Sequence, residues 1–474
     1  MGSRLSAAEV GARLDQLSWS RLHTTILVAL GAGWLFDSLE VQLFSNAVGP
    51  LGDHFGATVT ERDAILAVWL GGILLGALVG GRLADRFGRR RLFVVTLLWY
   101  ASFTVLTGLS PDLGAVYALR FLAALGVGAE YAIVNAAIAE FIPARVRGKA
   151  NALVMNFWPA GAALAGVLAW FVLDVLALSA ATSWRYLFIL GGVVALVVLF
   201  FRRRIPESPR WLVAQGRQRE AEEIVARLEA EAGAQPGEPF VVPLVGRPPG
   251  LRQGLGELVR RYPRRLALGA SLDLAEAFGY YGIFALLSVV VLPQVHISNQ
   301  EIPFFYVVGN VGGLAGGLAM TSYFDRLGHR LTVGITYAAA AGGVGLLALA
   351  TASKSPALLT AAFVVANGAG TAAWTSAYPT FTELFPTHLR AVGVGTSVAI
   401  GRVGAIVGTL VLPTLATHLG ATTSYLLVVV FWVMGVVAIG VYSWRGGVEA
   451  ARRSLEAVAP LPPELAGVPV EASA

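Results

Sequence analysis

Seven ionisable side chains stand inside long apolar stretches of this 474-residue sequence: Asp37, Glu40, Arg120, Glu130, Asp273, Glu276 and Arg402. An ionised carboxylate in such surroundings costs several kcal/mol unless it is paired or wetted, which makes reversible protonation its natural chemistry. A guanidinium keeps its charge, and its planar fork matches a carboxylate. These residues can move protons and recognise a charged small molecule. Chemistry of the soluble kind is excluded: there is no cysteine, and the six histidines have no metal-ligand spacing. A Gly-x-x-x-x-Gly-Lys-Ser/Thr phosphate cradle is absent, and Gly126-Val127-Gly128 lies within an apolar helix instead of following a strand. No cofactor and no metal are expected.

The elements that position these charges must be membrane helices. Only 14% of the residues are charged while 56% are hydrophobic, with 55 glycines and a mean hydropathy of +0.68. Backbone polar groups in a bilayer are satisfied only in helices or closed barrels, and continuous apolar runs near 20 residues favour helices. The net charge of +6 could signal a nucleic acid, but its basic residues border the apolar runs, so no such partner is expected. Twelve spans are predicted at 22–50, 62–84, 91–110, 114–142, 146–175, 183–202, 265–293, 299–324, 330–352, 356–384, 388–417 and 421–444. Residues 1–21 then form an N-terminal segment without a cleaved signal peptide, 203–264 a linker with short amphipathic helices (Arg217–Ala230 is one), and 445–474 a tail.

Alternate connections carry the Lys and Arg residues: Arg82 to Arg91, then Arg145, Arg147 and Lys149, then Arg202 to Arg204, then Arg326 and Arg330, then Arg390. By the positive-inside rule these connections, and both termini, are cytoplasmic. The stretch Gly80-Gly81-Arg82-Leu83-Ala84-Asp85-Arg86-Phe87-Gly88-Arg89-Arg90-Arg91-Leu92 has an echo at Ser322-Tyr323-Phe324-Asp325-Arg326-Leu327-Gly328-His329-Arg330-Leu331, 240 residues later. Glu140 and Arg147 match Glu383 and Arg390 at a spacing of 243. The chain is duplicated: an all-α membrane protein of two six-helix bundles, 22–202 and 265–444.

With about 1.5 Å of rise per residue and a hydrocarbon core of about 30 Å, Asp37 and Arg402 fall close to the midplane. Glu40 lies one turn beyond Asp37 on a neighbouring face. Glu130 is about 15 Å of rise from Arg120 and on a different face, so the two are not expected to pair; it is either a second proton site or a buried structural partner. Glu276 faces the cavity in this reading, which leaves a cation or proton site open there. Arg402 is either a substrate anchor or the permanent partner of Asp37, Glu276 or Glu130. Trp158, Tyr280, Tyr281, Trp374 and Tyr378 supply aromatic walls for flat rings or cations, or pack the helices, and Asn310 is a further polar candidate.

These motifs resemble the major facilitator superfamily over nearly the whole chain. Gly81 to Arg90 looks like its signature loop, and Pro206-Glu207-Ser208-Pro209-Arg210-Trp211-Leu212 is similar to the segment after helix six in sugar porters and organic-ion transporters. Trp34 to Glu40, Phe278 to Gly282, and Tyr378 to Thr387 with Arg390 resemble the branch of niacin and aromatic-acid permeases, organic anion and cation transporters, and synaptic vesicle glycoproteins. The resemblance implies the major facilitator fold, two pseudo-symmetric bundles rocking about a central site. In related proton-driven sugar porters an acid of the first helix is matched by an arginine like Arg120, before Gly126 and Gly128, which makes Arg120 the expected partner of Asp37. Relatives that carry organic anions tend to have a basic residue at the place of Arg402.

The resulting expectation is a monomeric, proton-coupled symporter of a small organic anion such as nicotinate, in the inner or plasma membrane. Proton coupling is expected from Asp37, Arg120 and Glu130. Substrate contact is expected from Asp37, Glu40, Trp158, Glu276, Tyr280, Tyr281, Asn310, Trp374, Tyr378 and Arg402. A cytoplasmic gate is expected from Asp85, Arg86, Arg89, Glu140, Arg147, Glu207 and Arg210, echoed by Asp325, Arg326, Arg330, Glu383 and Arg390. In it Arg86 and Arg89 meet Glu140 and Glu207, while the echo faces Glu383 and Arg390. The alternatives are an organic cation or sugar transporter, and a non-transporting membrane receptor or scaffold.

Overall fold

The structure, a computed structural model, describes residues 10, 13–14, 16–176, 178–202, 205–232, 251–295, 297, 301–386 and 389–449. They are nearly all helical. The first half comprises α1 (Arg21–Phe55), α2 (Val59–Phe87), α3 (Arg89–Gly108), α4 (Leu113–Phe141), α5 (Ala144–Met155) continued by α6 (Phe157–Trp170), and α7 (Ala180–Arg202). Short helices α8 (Pro209–Ala214), α9 (Gln218–Ala232) and α10 (Leu251–Arg261) follow. The second half comprises α11 (Pro263–Leu286), α12 (Ile302–Leu327), α13 (His329–Ser353), α14 (Pro356–Leu384), α15 (Arg390–Leu419) and α16 (Ala421–Trp444). Among the described residues 11 helices are long and apolar enough to cross a membrane. The twelfth, α2, has 29 residues and an uncharged stretch from Ala64 to Gly81.

The helices outrun the apolar stretches because capping groups lie outside them. Thr58 and Glu61 form a capping box that starts α2 at Val59, with Thr58 N–H donating to Glu61 at 2.8 Å. Asp112 accepts from Ala115 N–H at 2.8 Å and starts α4. The fifth span is interrupted at Asn156. Pro159 has no N–H to give the preceding turn, and the Asn156 side chain donates to the Ala152 carbonyl at 2.8 Å beside the break. The sixth and seventh spans meet the short helices on one side of the molecule, called the linker side below.

Glycines let helices approach. Gly72, Gly76 and Gly80 of α2 lie against Ala124, Leu125 and Ala129 of α4, and Gly312 and Gly316 of α12 against Val364 and Gly368 of α14. Helices α1 and α11 are the most fully enclosed spans. Outward-facing apolar side chains, such as Leu349, Phe304 and Val430, form the surface that lipid covers. The halves meet where α6 packs on α12 and α2 on α15. Gly166 abuts Pro303 and Val307, and Asn156 donates to Thr321 at 3.1 Å.

The segment before α1 is docked onto the linker. Val10, Leu14 and Leu17 are buried, as are Ala221, Val225 and Leu228 of α9. Arg13 donates to Glu229 at 2.7 Å and to Glu222 at 2.9 Å, and these bonds hold its guanidinium above the usual arginine range.

Candidate functional site

Helix α1 carries Trp34, Asp37 and Glu40, all nearly fully buried, into the middle of the molecule. Glu40 is the acid that meets Arg120: Arg120 Nη1 donates to Glu40 Oε1 at 2.8 Å, and Thr104 Oγ1 donates to the same oxygen at 2.5 Å. The guanidinium also lies over the rings of Trp69 and Phe188, at 5.6 and 5.3 Å. The expected Asp37–Arg120 pairing is thereby corrected. Arg120 stands in the first turns of α4, and Glu40, three residues further along α1 towards the end where α4 begins, is the carboxylate at matching depth.

Glu130 does not pair with Arg120, in keeping with the separation along α4. It forms an ion pair with Arg202, both side chains being fully buried, and Arg202 Nη1 donates to the Phe93 carbonyl at 2.8 Å. Arg202 was expected with the basic loop residues. As the last residue of α7 it instead turns inward, where a buried acid on α4 gives it a partner.

Asp37 remains. Its side chain is buried, neither carboxylate oxygen accepts a hydrogen bond among the described residues, and its charged neighbours are Glu130, Arg202, Glu40 and Arg402. Arg202 is already engaged with Glu130, so the group Asp37–Glu130–Arg202 has two carboxylates for one guanidinium.

The expected aromatic residues come together, joined by two that the sequence reading passed over. Trp34 lies 4.8 Å from Tyr131, 5.9 Å from Trp158 and 5.6 Å from Trp374, centroid to centroid. Trp158 and Trp374 meet edge-on at 5.4 Å, and Trp158 Nε1 donates to the Tyr280 hydroxyl at 2.9 Å. Tyr378 follows Trp374 at 6.2 Å, and Tyr281 follows Tyr280 at 5.7 Å. The cluster takes residues from α1, α4, α6, α11 and α14, so it spans the junction of the halves. A signal for Trp34 did exist in the sequence, since it lies three residues before Asp37 and so on the same side of α1.

Arg402 projects from α15 into this cluster. Its Nη1 donates to the Tyr281 hydroxyl at 2.9 Å, and its guanidinium lies 5.4 Å from the ring centres of both Tyr131 and Tyr281. It makes no ion pair among the described residues, and its Nε has no acceptor there. The permanent salt bridge weighed for Arg402 does not form. Beside it, Asp273 packs so closely on Gly401 that a Cβ there would collide with the carboxylate, and Tyr378 donates to Asp273. Glu276, one turn before Tyr280, has Asp273 and Arg402 as its charged neighbours.

Asn310, expected as a substrate contact, is tied into helix packing. Its amide donates to the Tyr306 carbonyl at 2.8 Å and accepts from Asn367 at 3.1 Å, so it is committed to the packing of α12 on α14.

On the linker side, Arg89 donates to Glu140 at 2.8 Å and to the Ala84 carbonyl at 3.0 Å. Glu207 accepts from the backbone N–H of Arg89 at 2.8 Å and of Arg90 at 3.3 Å, capping α3. Gly88, at φ +90°, makes the turn that admits it, and a Cβ there would strike Glu207. The second half repeats this arrangement with an acid the sequence did not reveal. Gly328 has φ +83°, and Glu449 accepts from His329 N–H at 2.9 Å and from Arg330 Nε at 3.1 Å. Arg330 therefore meets Glu449. Arg86 is exposed over the Phe87 ring and forms no ion pair with Glu140 or Glu207 among the described residues, and Arg210 is half-buried without an acceptor for Nε. The side chains of Asp85, Arg147, Asp325, Arg326, Glu383 and Arg390 lie outside the described residues. The gate contacts that are described run within each half; none of them joins one half to the other.

Comparison with known proteins agrees with this architecture. The family model described as "Sugar (and other) transporter" matches residues 43–461. The niacin transporter NiaP of Acinetobacter baylyi is 29% identical over 86% of this chain and 89% of its own length. The 4-hydroxybenzoate transporter PcaK of the same organism is 26% identical over 85% of this chain and 87% of its own. Among solved structures, the xylose transporter XylE from E. coli in a partially occluded inward open conformation superposes with a TM-score of 0.71 at 19% identity, covering 91% of this chain and 99% of XylE. The chain belongs to the sugar (and other) transporter family within the major facilitator superfamily and is a multi-pass membrane transporter of small molecules.

Proposed function

We propose that the protein is a proton-coupled symporter of a small aromatic carboxylate, working by alternating access, with Arg402 as the anchor for the substrate carboxylate. The single observation that carries this reading is the state of Arg402: buried between the halves, flanked by a tyrosine from each, and without an ion-pair partner among the described residues. A guanidinium so placed has donors to offer an incoming carboxylate, and the surrounding rings offer faces for a flat substrate. The names of the niacin and 4-hydroxybenzoate relatives support the same class.

For the proton, two sites are available. Glu40 with Arg120 is an acid–arginine pair between the first and fourth spans, of the kind the resemblance to proton-driven sugar porters implies for Asp37, so its opening and closing can be linked to substrate. Asp37 is the carboxylate without a base of its own, and a proton is the simplest compensation for it. The linker side is cytoplasmic by its Lys and Arg residues, which puts both termini inside, in the inner or plasma membrane. The Arg89–Glu140 and Glu207 contacts, and their Arg330–Glu449 echo, would brace each half as a rigid unit on that side.

A second reading, transport of an organic cation or a sugar, draws support from Glu276 and from the xylose-transporter fold. The test is accumulation in liposomes containing the purified protein. An inward proton gradient should drive nicotinate or benzoate above its equilibrium level, and abolishing the gradient should reduce entry to equilibration. Absence of carboxylate accumulation under the gradient would sink the symport reading. A flux of cations or sugars in its place would favour the second, and no flux across a broad panel would revive a receptor or scaffold role.

A further inference from the structure

We propose that the central site is built for an aromatic zwitterion, a flat ring bearing both a carboxylate, held by Arg402, and a cationic nitrogen, held by Glu276. This rests on the reading of Arg402 as the carboxylate anchor and specifies what the other end of the substrate must be.

The argument starts from which charged groups of the second half are already satisfied. Asp273 is engaged at one carboxylate oxygen: Tyr378 donates to it and it is wedged on Gly401, while Oδ1 is left without a hydrogen-bond partner among the described residues. Glu276 is not engaged. It is 8% exposed, and it makes neither a hydrogen bond nor an ion pair among the described residues. Arg402, also 8% exposed, spends one donor on Tyr281 and keeps an unpartnered Nε. A guanidinium has five N–H donors, so several remain. Two groups of opposite charge, each more than nine-tenths buried, thus stand in one cluster without pairing to each other.

Their surroundings favour a ligand that bridges them. Glu276 precedes Tyr280 by four residues, so the two share a face of α11. It lies within electrostatic reach of Tyr280, Tyr281 and Tyr378, residues of the same aromatic wall. Ring faces attract a cationic nitrogen and stack a flat ring, while a simple aromatic anion would leave Glu276 without a counter-charge. A buried carboxylate left uncompensated is costly, and a positive nitrogen on the substrate removes that cost in the bound state.

The experiment is equilibrium binding to the purified full-length protein of three matched probes: benzoate, 4-(aminomethyl)benzoate and benzylamine. The zwitterion should bind about tenfold tighter than benzoate, the equivalent of about 1.4 kcal/mol. In Glu276→Gln the ratio of the two affinities should fall to about one, and Glu276→Asp should keep part of it. Wild-type protein that binds benzoate and the zwitterion equally, or a Glu276→Gln variant that keeps the tenfold ratio, would overturn the proposal while leaving the Arg402 reading intact. If neither carboxylate binds, or benzylamine alone does, the Arg402 reading falls and this proposal with it. The wild-type comparison needs no variant to fold.

Discussion

Asp37 and Glu130 are both buried acids near the same arginine, yet their surroundings assign them opposite behaviour. Glu130 is neutralised by Arg202 and gains its hydrogen bond, so losing either partner strands a charge. Arg202→Met should lower stability by about 3–5 kcal/mol, read as thermal unfolding in detergent, and adding Glu130→Gln should recover much of the loss. Additive effects of the two substitutions would contradict the pairing. Asp37 has no hydrogen-bond partner among the described residues. Asp37→Asn should therefore keep or raise the unfolding temperature while abolishing proton-driven accumulation and sparing exchange of substrate at equilibrium. A destabilised variant that still accumulates substrate would argue against a proton role. That Asp37 is carried into the buried middle of α1 was legible in the sequence, because its place follows from counting along a helix. Its partner was not, since pairing depends on how α1, α4 and α7 are rotated about their axes. That rotation gave Glu40 to Arg120 and brought Arg202 inward.

At the scale of elements, the twelve spans were readable from hydropathy alone, and the duplication from two motifs at near-constant spacing. What escaped was set by groups outside the apolar runs: the caps at Thr58 and Asp112, the break at Asn156 beside Pro159, and the acid at Glu449. Glu449 lies beyond the last span, in a stretch with no hydrophobic pattern, so only the fold shows that it caps α13 as Glu207 caps α3. The two turns share a glycine conformation that a side chain adopts at a cost. Gly88→Ala and Gly328→Ala should each cost about 1–3 kcal/mol by thermal unfolding, and the Gly88 variant should cost more because its Cβ meets Glu207. Equal, negligible effects would contradict the capping geometry. By contrast Arg13, about 29% exposed, should contribute less than about 1 kcal/mol through its ion pairs with α9, so Arg13→Ala should barely move the same transition.

At the scale of the whole molecule, the halves are joined at the centre by the rings of the proposed substrate site. Trp158 belongs to the first half and Tyr280 to the second, and their hydrogen bond at 2.9 Å crosses the junction. The groups that would hold a ligand are thus also the groups that hold the halves together, which is what alternating access about a midplane site requires. Tyr280→Phe removes that bond and should shift the population of open states. The absence of native cysteine makes the measurement clean: spin labels at Tyr186→Cys and Phe304→Cys, exposed positions in opposite halves, report the separation. An unchanged distance distribution in the Phe variant would count against the bond as a latch.

The most direct test of the account is equilibrium binding of benzoate and benzylamine to the wild-type protein and to Arg402→Ala. If Arg402 anchors a substrate carboxylate, benzoate binding should fall by a hundredfold or more, about 2.7 kcal/mol or above, while benzylamine binding stays the same or improves. Benzoate binding that survives the loss of Arg402 would contradict the account.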